Sequence, residues 1–232
     1  MSEYVSYQKA VSVSSAIKTR RSLRSFLPTP VATDTLATML RDAARAPSGT
    51  NMQPWQSYVV TGQTLDTLCA AVCEAFDNPN ADHQCETRYY PEKWFEPYLS
   101  RRREVGWDLY GLLGIEKGDR AATVAQHRRN FKFFDAPVGI IFTIHRDLST
   151  GSWLDYGTFL QNVMLLARER GLHTCPQAAW ADYHTLIRKV LPISEAETVV
   201  CGMAVGFADP EAIENSLVTS RVDNEDNVVF LD

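Results

Sequence analysis

The sequence contains no hydrophobic run long enough to cross a lipid bilayer. Its two longest apolar stretches, Ala136–Ile144 and Val199–Ala208, have about half the length that a transmembrane helix needs. Runs this short are typical of buried strands. The first 21 residues also lack a basic start followed by an apolar core, and we therefore expect no secretory signal.

Positive charge is not in excess either. The 232 residues include 23 Lys and Arg against 28 Asp and Glu, which gives a formal net charge of −5. General nucleic-acid binding needs a basic face for the phosphates, so this balance argues against that class, although it permits a local basic pocket. Hydrophobic residues make up 45% and charged residues 22%, which are values of a folded domain rather than of a disordered chain.

Cysteine is scarce and irregularly spaced. Five residues is an odd number, and no N-x-S/T acceptor accompanies them, so a reduced, cytoplasmic setting fits better than a disulfide scaffold. Cys69 and Cys73 lie one helical turn apart in an apolar pattern that is more typical of small buried side chains than of zinc ligands. We therefore predict no metal site. The cysteines are Cys69, Cys73, Cys85, Cys175 and Cys201.

Several nucleotide-binding and catalytic motifs are missing. The sequence has no G-x-G-x-x-G after a strand, no G-x-x-x-x-G-K-[ST], no H-E-x-x-H and no G-x-S-x-G. The five histidines are scattered, so no nucleophile–histidine constellation is evident. These absences argue against the dehydrogenases, P-loop enzymes, metalloproteases and hydrolases that carry such motifs.

Hydrophobic periodicity predicts several helices and a few strands, without repeats or linkers. Helices are predicted at Ser14–Arg21, from Thr33 as N-cap to a stop at Pro47, at Leu65–Phe76, near 96–113, near 119–133, at Leu154–Arg170 and at Tyr183–Leu191. Strands are predicted at Trp55–Thr61, Val138–Ile144 and Thr198–Phe207. So few strands do not suit a doubly wound parallel sheet, and we expect one α+β domain over residues 1–232.

Residues 77–130 differ from the rest of the chain. Prolines interrupt the pattern, and aromatic side chains are dense between basic ones. The run Arg101–Arg103 is more typical of a solvated helix face than of a phosphate site. A lid or a segment that contacts a partner is the expected use of such an excursion. Its aromatic residues include Tyr89, Tyr90, Trp94, Phe95, Tyr98, Trp107 and Tyr110.

Three separated segments share a chemistry that suits a flat, anionic cofactor. Arg20–Phe26 offers three guanidinium groups and two hydroxyls, which suit phosphate oxygens. Ala46–Trp55 offers Ser, Thr, Asn and Gln side chains on a short loop, although a simple turn explains that composition equally well. Gly171–Ala179 is interpreted as a helix exit whose backbone faces a ring, and Thr219–Arg221 adds another cation.

Together these segments resemble the flavin-dependent nitroreductase family. An RRSxRxF start is followed about two dozen residues later by APSGTNxQPW, and the likeness continues through 130–137, 171–176 and 205–209 to Arg221. The resemblance implies an α+β fold with a central mixed β-sheet flanked by helices. It also implies an intertwined homodimer with two non-covalent FMN sites at the interface, and a C-terminal extension, residues 217–232, that wraps onto the partner, with Val228–Leu231 as an added strand.

The resemblance also assigns residues to the cofactor. From one subunit, Arg20, Arg21, Ser22, Arg24 and Arg221 would hold the phosphate and ribityl chain. From the other, Pro47, Ser48, Asn51 and Gln53 would approach the ring, which Pro176, Gln177 and Ala178 would line beside Asn130. The chain departs from many members at two places, since Thr219 stands where a Lys is common and Ala178-Ala179 where Glu-Gly is common.

The implied reaction is a ping-pong hydride transfer through flavin N5. NAD(P)H would reduce the flavin, and a small nitroaromatic substrate would then be reduced to the nitroso compound and the hydroxylamine. No side-chain acid is evident, and we name no catalytic residue. Aromatic residues of the excursion would cover the substrate, and Arg103 would pair with a carboxylate such as that of a nitrobenzoate. The candidate substrate residues are Trp94, Tyr98, Arg103, Trp107 and Tyr110.

Two alternatives stay open at this point. The same family includes quinone and enone reductases, reductive dehalogenases of iodotyrosine, and an enzyme that fragments its own flavin. Glu86 and Tyr90 have a spacing that suits the dehalogenases, but no lysine partner is evident. The second alternative is a flavin-binding dimeric module without turnover, for which the departures at Thr219 and Ala178-Ala179 are the support.

Overall fold

A four-stranded antiparallel sheet forms the centre of the molecule. The computed structural model describes residues 4–78, 80, 83–223 and 227–231, so Pro79 and part of the predicted C-terminal extension lie outside the described residues. The strands are β1 (Gln56–Thr61), β2 (Val138–His145), β3 (His173–Gln177) and β4 (Glu197–Gly206), in the order β1-β2-β4-β3. All three strand pairings are antiparallel, and the expected mixed character is limited to an isolated parallel bridge between Ser22 and Thr174.

Seven α-helices surround this sheet within the described residues. Their bounds agree with the predicted helices to within a few residues, because apolar side chains recur at helical spacing in most of the long ones; Tyr98–Leu112, which buries no residue, is the exception. Thr33 is the first helical residue and not the N-cap, which is Ala32 without a side-chain cap. The helices are α1 (Val13–Thr19), α2 (Thr33–Ala43), α3 (Gly62–Asp77), α4 (Tyr98–Leu112), α5 (Arg120–Arg128), α6 (Thr150–Glu169) and α7 (His184–Val190).

The central strand β2 separates two hydrophobic clusters. Its side chains are buried from Val138 to Ile144, and successive residues point to opposite faces of the sheet. Ile141 packs in a cluster with α3, α7 and Trp180, whereas Ile140 packs with α2 and α6. Helices therefore cover both faces of the sheet. Among the described residues, none of these helices is long and apolar enough to cross a membrane.

Strand β3 corrects the interpretation of Gly171–Ala179 as a helix exit. His173–Gln177 pairs with β4 and ends the sheet, although Pro176 lies within it. Proline is tolerated in an edge strand because one side of that strand makes no ladder hydrogen bonds. The Leu23 amide donates to the Thr174 carbonyl at 3.2 Å, which ties the Arg20–Phe26 segment to this edge.

The two ends of the 77–130 excursion lie next to each other. Arg128 at the end of α5 makes a two-pronged ion pair with Asp77 at the end of α3, with Nε and Nη2 each 2.8 Å from a carboxylate oxygen. The two predicted helices of this region are confirmed as α4 and α5, and a 3-10 segment, Arg129–Asp135, follows α5. Neither α4 nor α5 contains a buried residue.

Candidate functional site

The first and last site segments meet at one cavity of about 790 Å³. Helix α1 ends at Thr19, and the extended segment Arg20–Arg24 follows it and bridges to β3 through Ser22 and Thr174. Residues 217–223 form another part of the cavity wall. The cavity thereby collects the five predicted phosphate ligands Arg20, Arg21, Ser22, Arg24 and Arg221. These residues come from positions about 200 apart in the sequence, and only the fold joins them.

The cavity is strongly cationic on this side. Among the described residues, none of the arginines at 20, 21, 24 and 221 forms an ion pair with a carboxylate. Burial and the nearby charge of Arg221 lower the pKa of Arg20. A group with two negative charges would relieve this repulsion.

Arg21 is the buried arginine of this cluster. Its side chain is only 8% exposed, and Nη1 donates to the carbonyls of Asn215 and Leu217. Its Nε and Nη2 are buried and have no hydrogen-bond partner among the described residues. Unpaired buried donors are costly, so this guanidinium is suited to an acceptor-rich ligand such as a phosphate. The buried donors without a partner, and arginines that form no ion pair with the carboxylates of the described residues, therefore fit the phosphate of FMN.

Asn215 is a residue of this site that the sequence analysis missed. It is fully buried, and its Oδ1 accepts a hydrogen bond from the Arg24 amide at 2.8 Å. Its Nδ2 donates to the carbonyls of Ser25 and Asp209 at 2.8 and 2.9 Å. It thus holds the arginine segment against the C-terminal part of the chain. An isolated Asn in a polar stretch gives no sequence signal for this role.

Thr219, which stands where a Lys is common in the resembled family, contacts Arg221 in the structure. Its hydroxyl oxygen accepts a hydrogen bond from Arg221 Nη1 at 2.7 Å, and its carbonyl accepts another at 3.2 Å. Thr219 therefore orients the remaining cation instead of supplying a second one. Ser220 donates to Glu104 of α4 at 2.9 Å, so the excursion also contacts this wall.

The third segment lies beside Asn130. Gln177 is buried, and its Nε2 donates to the Asn130 carbonyl at 2.7 Å, while its Oε1 has no hydrogen-bond partner in the described part of the chain. Asn130, Arg24 and Tyr110 line a smaller cavity of about 210 Å³. Arg24 lines both cavities and so connects the phosphate residues with Asn130. Pro176 is exposed at the end of the strand, and Ala178 is half-buried after it.

The second segment is an ordered, exposed loop that does not line either cavity in the single chain. Three of its residues, Thr50, Asn51 and Gln53, have positive φ angles of 49°, 61° and 49°. Ser48 Oγ accepts from the Gln53 amide at 2.9 Å, and the Gly49 amide donates to Asp155 at 3.0 Å. A strained conformation that is held this way is typical of a functional loop. Pro47 and Asn51 are exposed beside it.

The predicted substrate residues are only partly brought to the site. Tyr110 lines the smaller cavity, but Trp94, Tyr98, Arg103 and Trp107 do not line either cavity in the single chain. Trp94 instead packs under the Arg102 guanidinium at 4.8 Å, and Trp107 contacts Tyr110 edge to face. The α4 residues at the arginine cavity are Glu104, Val105 and Asp108, which the sequence analysis did not select.

A larger groove of about 1080 Å³ lies elsewhere, between α3 and the start of β2. It is lined by residues such as Leu65, Cys69 and Pro137 and by none of the predicted site residues. Burial raises the pKa of Cys69 to about 12, so this thiol is a poor nucleophile. The groove therefore offers no residue that supports placing the cofactor or the reaction there.

Comparison with known proteins gives concordant results. Residues 17–207 match the model of the Nitroreductase family. The chain is 42% identical to the 4-nitrobenzoate reductase of Pseudomonas putida over 88% of this chain and 89% of that protein. It is 38% identical to the nitrobenzene nitroreductase of Ectopseudomonas oleovorans over 93% and 95% of the two chains.

Solved structures with the same architecture are also found. The FMN and NADPH-dependent nitroreductase NfnB from Sphigopyxis sp. strain HMH superposes with a TM-score of 0.93 at 38% identity, covering 96% of this chain and all of that one. The FMN-dependent NfnB from Mycobacterium smegmatis, solved in complex with NADPH, gives a TM-score of 0.89 at 27% identity, with 94% and 96% of the two chains covered.

Proposed function

Because this chain belongs to the nitroreductase family, we propose that it acts as a homodimer in which each FMN site is completed by both copies. The chain is an FMN-dependent NAD(P)H oxidoreductase that reduces nitroaromatic compounds. Bound FMN supplies the two-electron chemistry, by accepting hydride from NAD(P)H and passing it to the nitro compound. The protein supplies binding, orientation and electrostatics.

The arginine cavity is the proposed site of the FMN phosphate, and this is the observation that carries the assignment. Arg20, Arg24 and Arg221 would neutralise its charge, and the Ser22 hydroxyl would donate to it. The buried Nε and Nη2 groups of Arg21 would gain the acceptors that they lack. Binding would remove the mutual repulsion of these cations, so the cofactor should stabilise the fold strongly.

The flavin ring would lie next to Asn130 and Gln177. The unpartnered Oε1 of Gln177 is a candidate acceptor for an N–H group on the ring edge. Pro176 and Ala178 would line the ring from the same strand end. Thr219 still contacts Arg221 at the cavity, and Ala178-Ala179 lie outside its lining, so both departures are compatible with flavin binding. The similarity to nitrobenzoate and nitrobenzene reductases supports a working flavoenzyme over a module without turnover.

The homodimer is supported by surfaces that one copy leaves uncovered. Helices α4 and α5 bury none of their residues, although exposed aromatic side chains such as Tyr98 and Trp107 lie on α4. Large apolar surfaces of this kind mark interfaces. The Ser48–Gln53 loop would reach the cofactor of the partner, which accounts for its distance from the arginine cavity in its own chain.

The end of the chain offers a second contact between copies. Val229, Phe230 and Leu231 are at least 80% exposed, and among the described residues no strand pairs with β1 on the side away from β2. An apolar segment and an open strand edge satisfy each other when the segment adds as a strand. We propose that Val228–Leu231 pairs with β1 of the other copy.

The proposed oxidants are small nitroarenes, including nitrobenzoates. Trp94, Tyr98, Trp107 and Tyr110 would cover the flat substrate once two copies associate, and Arg103 would bind a carboxylate. The whole chain would form one domain with the 77–130 excursion as the covering element. The protein would reside in the cytoplasm, which its five free cysteines favour.

An anaerobic visible spectrum tests this function directly. Purified protein is recorded alone, after NADPH and then after 4-nitrobenzoate. We expect flavin absorbance that bleaches with NADPH and returns with the nitro compound. If the absorbance bleaches and does not return, the protein does not reduce the nitro compound. Quinones, enones and halogenated phenols are then tested as oxidants. Absence of flavin absorbance even after reconstitution with FMN would contradict the proposed site.

A further inference from the structure

Arg168, near the end of α6, is a buried cation outside the cavity. Its side chain is 1% exposed and is surrounded by neutral acceptors. Nη2 donates to the carbonyls of Ser6 and Gln8 at 3.2 and 2.6 Å, and Nη1 donates to that of Leu172 at 3.2 Å. Nε lies 3.4 Å from Oγ1 of Thr19, the residue that directly precedes Arg20 in the chain. Within the described ranges, Arg168 has no carboxylate partner.

The charge of Arg168 adds to that of the cavity. Burial and the charge of Arg21 lower its pKa to about 10, so it remains protonated at neutral pH. Its other close titratable neighbour, His173, stays neutral, because burial and the charge of Arg168 lower the pKa of that imidazole to about 3. Arg21 and Arg168 are thus two neighbouring buried cations without a counter-ion among the residues described.

A buried charge without a counter-ion is destabilising, and a hydrophobic side chain of similar length would avoid this cost. The hydrogen bonds to carbonyls satisfy the donors of Arg168 but leave its charge uncompensated. A phosphate dianion in the cavity would provide part of that compensation, because Arg168 Nε lies 3.4 Å from Thr19 Oγ1, and Thr19 directly precedes Arg20 and Arg21, which line the cavity.

We propose that Arg168 is a positioning residue for the cofactor, which strengthens the binding of the FMN phosphate through its charge and holds Thr19 and the N-terminal segment next to Arg20 and Arg21. It does not touch the phosphate itself. This inference rests on the proposed phosphate site. It predicts that Arg168 discriminates between flavins with and without a phosphate.

The test compares FMN with riboflavin, which differs only in lacking the phosphate. Flavin-depleted full-length protein is titrated with each, and binding is followed by quenching of flavin fluorescence. For Arg168→Met, we expect FMN affinity to fall on the order of tenfold, with riboflavin affinity changed less than about twofold. Arg168→Lys should keep most of the FMN preference, because it retains the charge.

Arg170→Met is the matched control. It removes the same charge two residues further along, where Arg170 already pairs with Glu169 and Asp42. It should leave both affinities near those of the unchanged protein. If Arg168→Met does not fold, Arg168→Gln replaces it, since the neutral amide still donates to some of the carbonyls.

The possible results distinguish the role of Arg168 from the location of the phosphate site. Equal weakening of FMN and riboflavin, or no weakening of either, would overturn the role of Arg168. Arg20→Ala is measured alongside. If Arg20→Ala also binds FMN and riboflavin in the unchanged ratio, the phosphate site itself is misplaced. If only Arg20→Ala loses the FMN preference, the site stands and the inference for Arg168 falls.

Discussion

At the scale of single residues, the site depends on buried polar groups as much as on exposed ones. Arg21 and Asn215 each link the arginine segment to the C-terminal part of the chain by hydrogen bonds to backbone groups. Asn215 is completely buried, which makes each of its bonds expensive to lose. These inner contacts hold the backbone of the half-buried residues Arg20, Ser22 and Arg24, which are proposed to bind the phosphate.

The buried His173 should make stability depend on pH. Its pKa is lowered to about 3 in the folded protein, mainly by burial, against about 6.5 when unfolded. The neutral form is therefore favoured by folding, and this contribution is present above pH 6.5 and is lost as the pH falls towards 3. We expect a loss of up to about 1.4 kcal/mol for each pH unit below 6.5.

Denaturant unfolding of His173→Asn between pH 7.5 and 5 checks this contribution. The variant should be less stable at pH 7.5 but should lose less stability on acidification than the unchanged protein. His145→Asn is the control, because that imidazole is exposed near Asp147. Parallel loss of stability in the His173 variant and the unchanged protein would show that His173 does not contribute.

At the scale of elements, the sheet and the 3-10 segments approach each other unusually closely. Gly202 in β4 faces the fully buried Trp180, which stacks on Phe133 with 4.3 Å between ring centroids. Gly139 in β2 faces the same Phe133. The absence of side chains at these two glycines lets the aromatic layer lie flat against the sheet, and Asn130 is positioned in the segment that carries Phe133.

Gly202→Ala should therefore destabilise the protein. The added Cβ would come within 2.7 Å of Trp180 Cγ, inside van der Waals contact, so the ring must shift. We expect a loss of about 3 kcal/mol, or roughly 6–12 °C in Tm, by differential scanning calorimetry. Gly151→Ala at the start of α6 has nothing within 4 Å and should be neutral or slightly stabilising. Equal effects of the two changes would refute the packing argument.

At the scale of the whole molecule, the proposed homodimer would account for several features of the single copy. The single copy holds the predicted phosphate residues in one cavity, but it presents the Ser48–Gln53 loop elsewhere and leaves α4, α5 and residues 228–231 uncovered. A homodimer in which each copy lends its loop to the other resolves all of these features together.

Mixed dimers test the sharing of sites between copies. Arg20→Ala and Asn51→Ala should each lower FMN content when expressed alone. In a dimer of one copy of each variant, one site has both residues intact and the other has lost both. Co-expression with two different tags and tandem purification should therefore yield dimers with about one FMN per dimer. If mixed dimers bind no more FMN than either variant alone, both residues act within the same chain.

The sequence by itself determined most of the elements and the family. Helical spacing located the helices to within a few residues, and the RRSxRxF and APSGTNxQPW segments pointed to the family. These features are local, because periodicity and turn chemistry depend on neighbours in the chain. Strand β3 was missed since it is short, polar and contains Pro176.

Only the tertiary structure decided which residues meet. It turned Arg21 inwards, buried Asn215, brought Glu104 and Asp108 to the arginine cavity and kept all five predicted substrate residues away from that cavity. Arg168 acquires its place through carbonyl groups about 160 positions earlier in the sequence. Such contacts join residues with no local relation, and their energies depend on burial and on the surrounding charges, which the order of residues does not state.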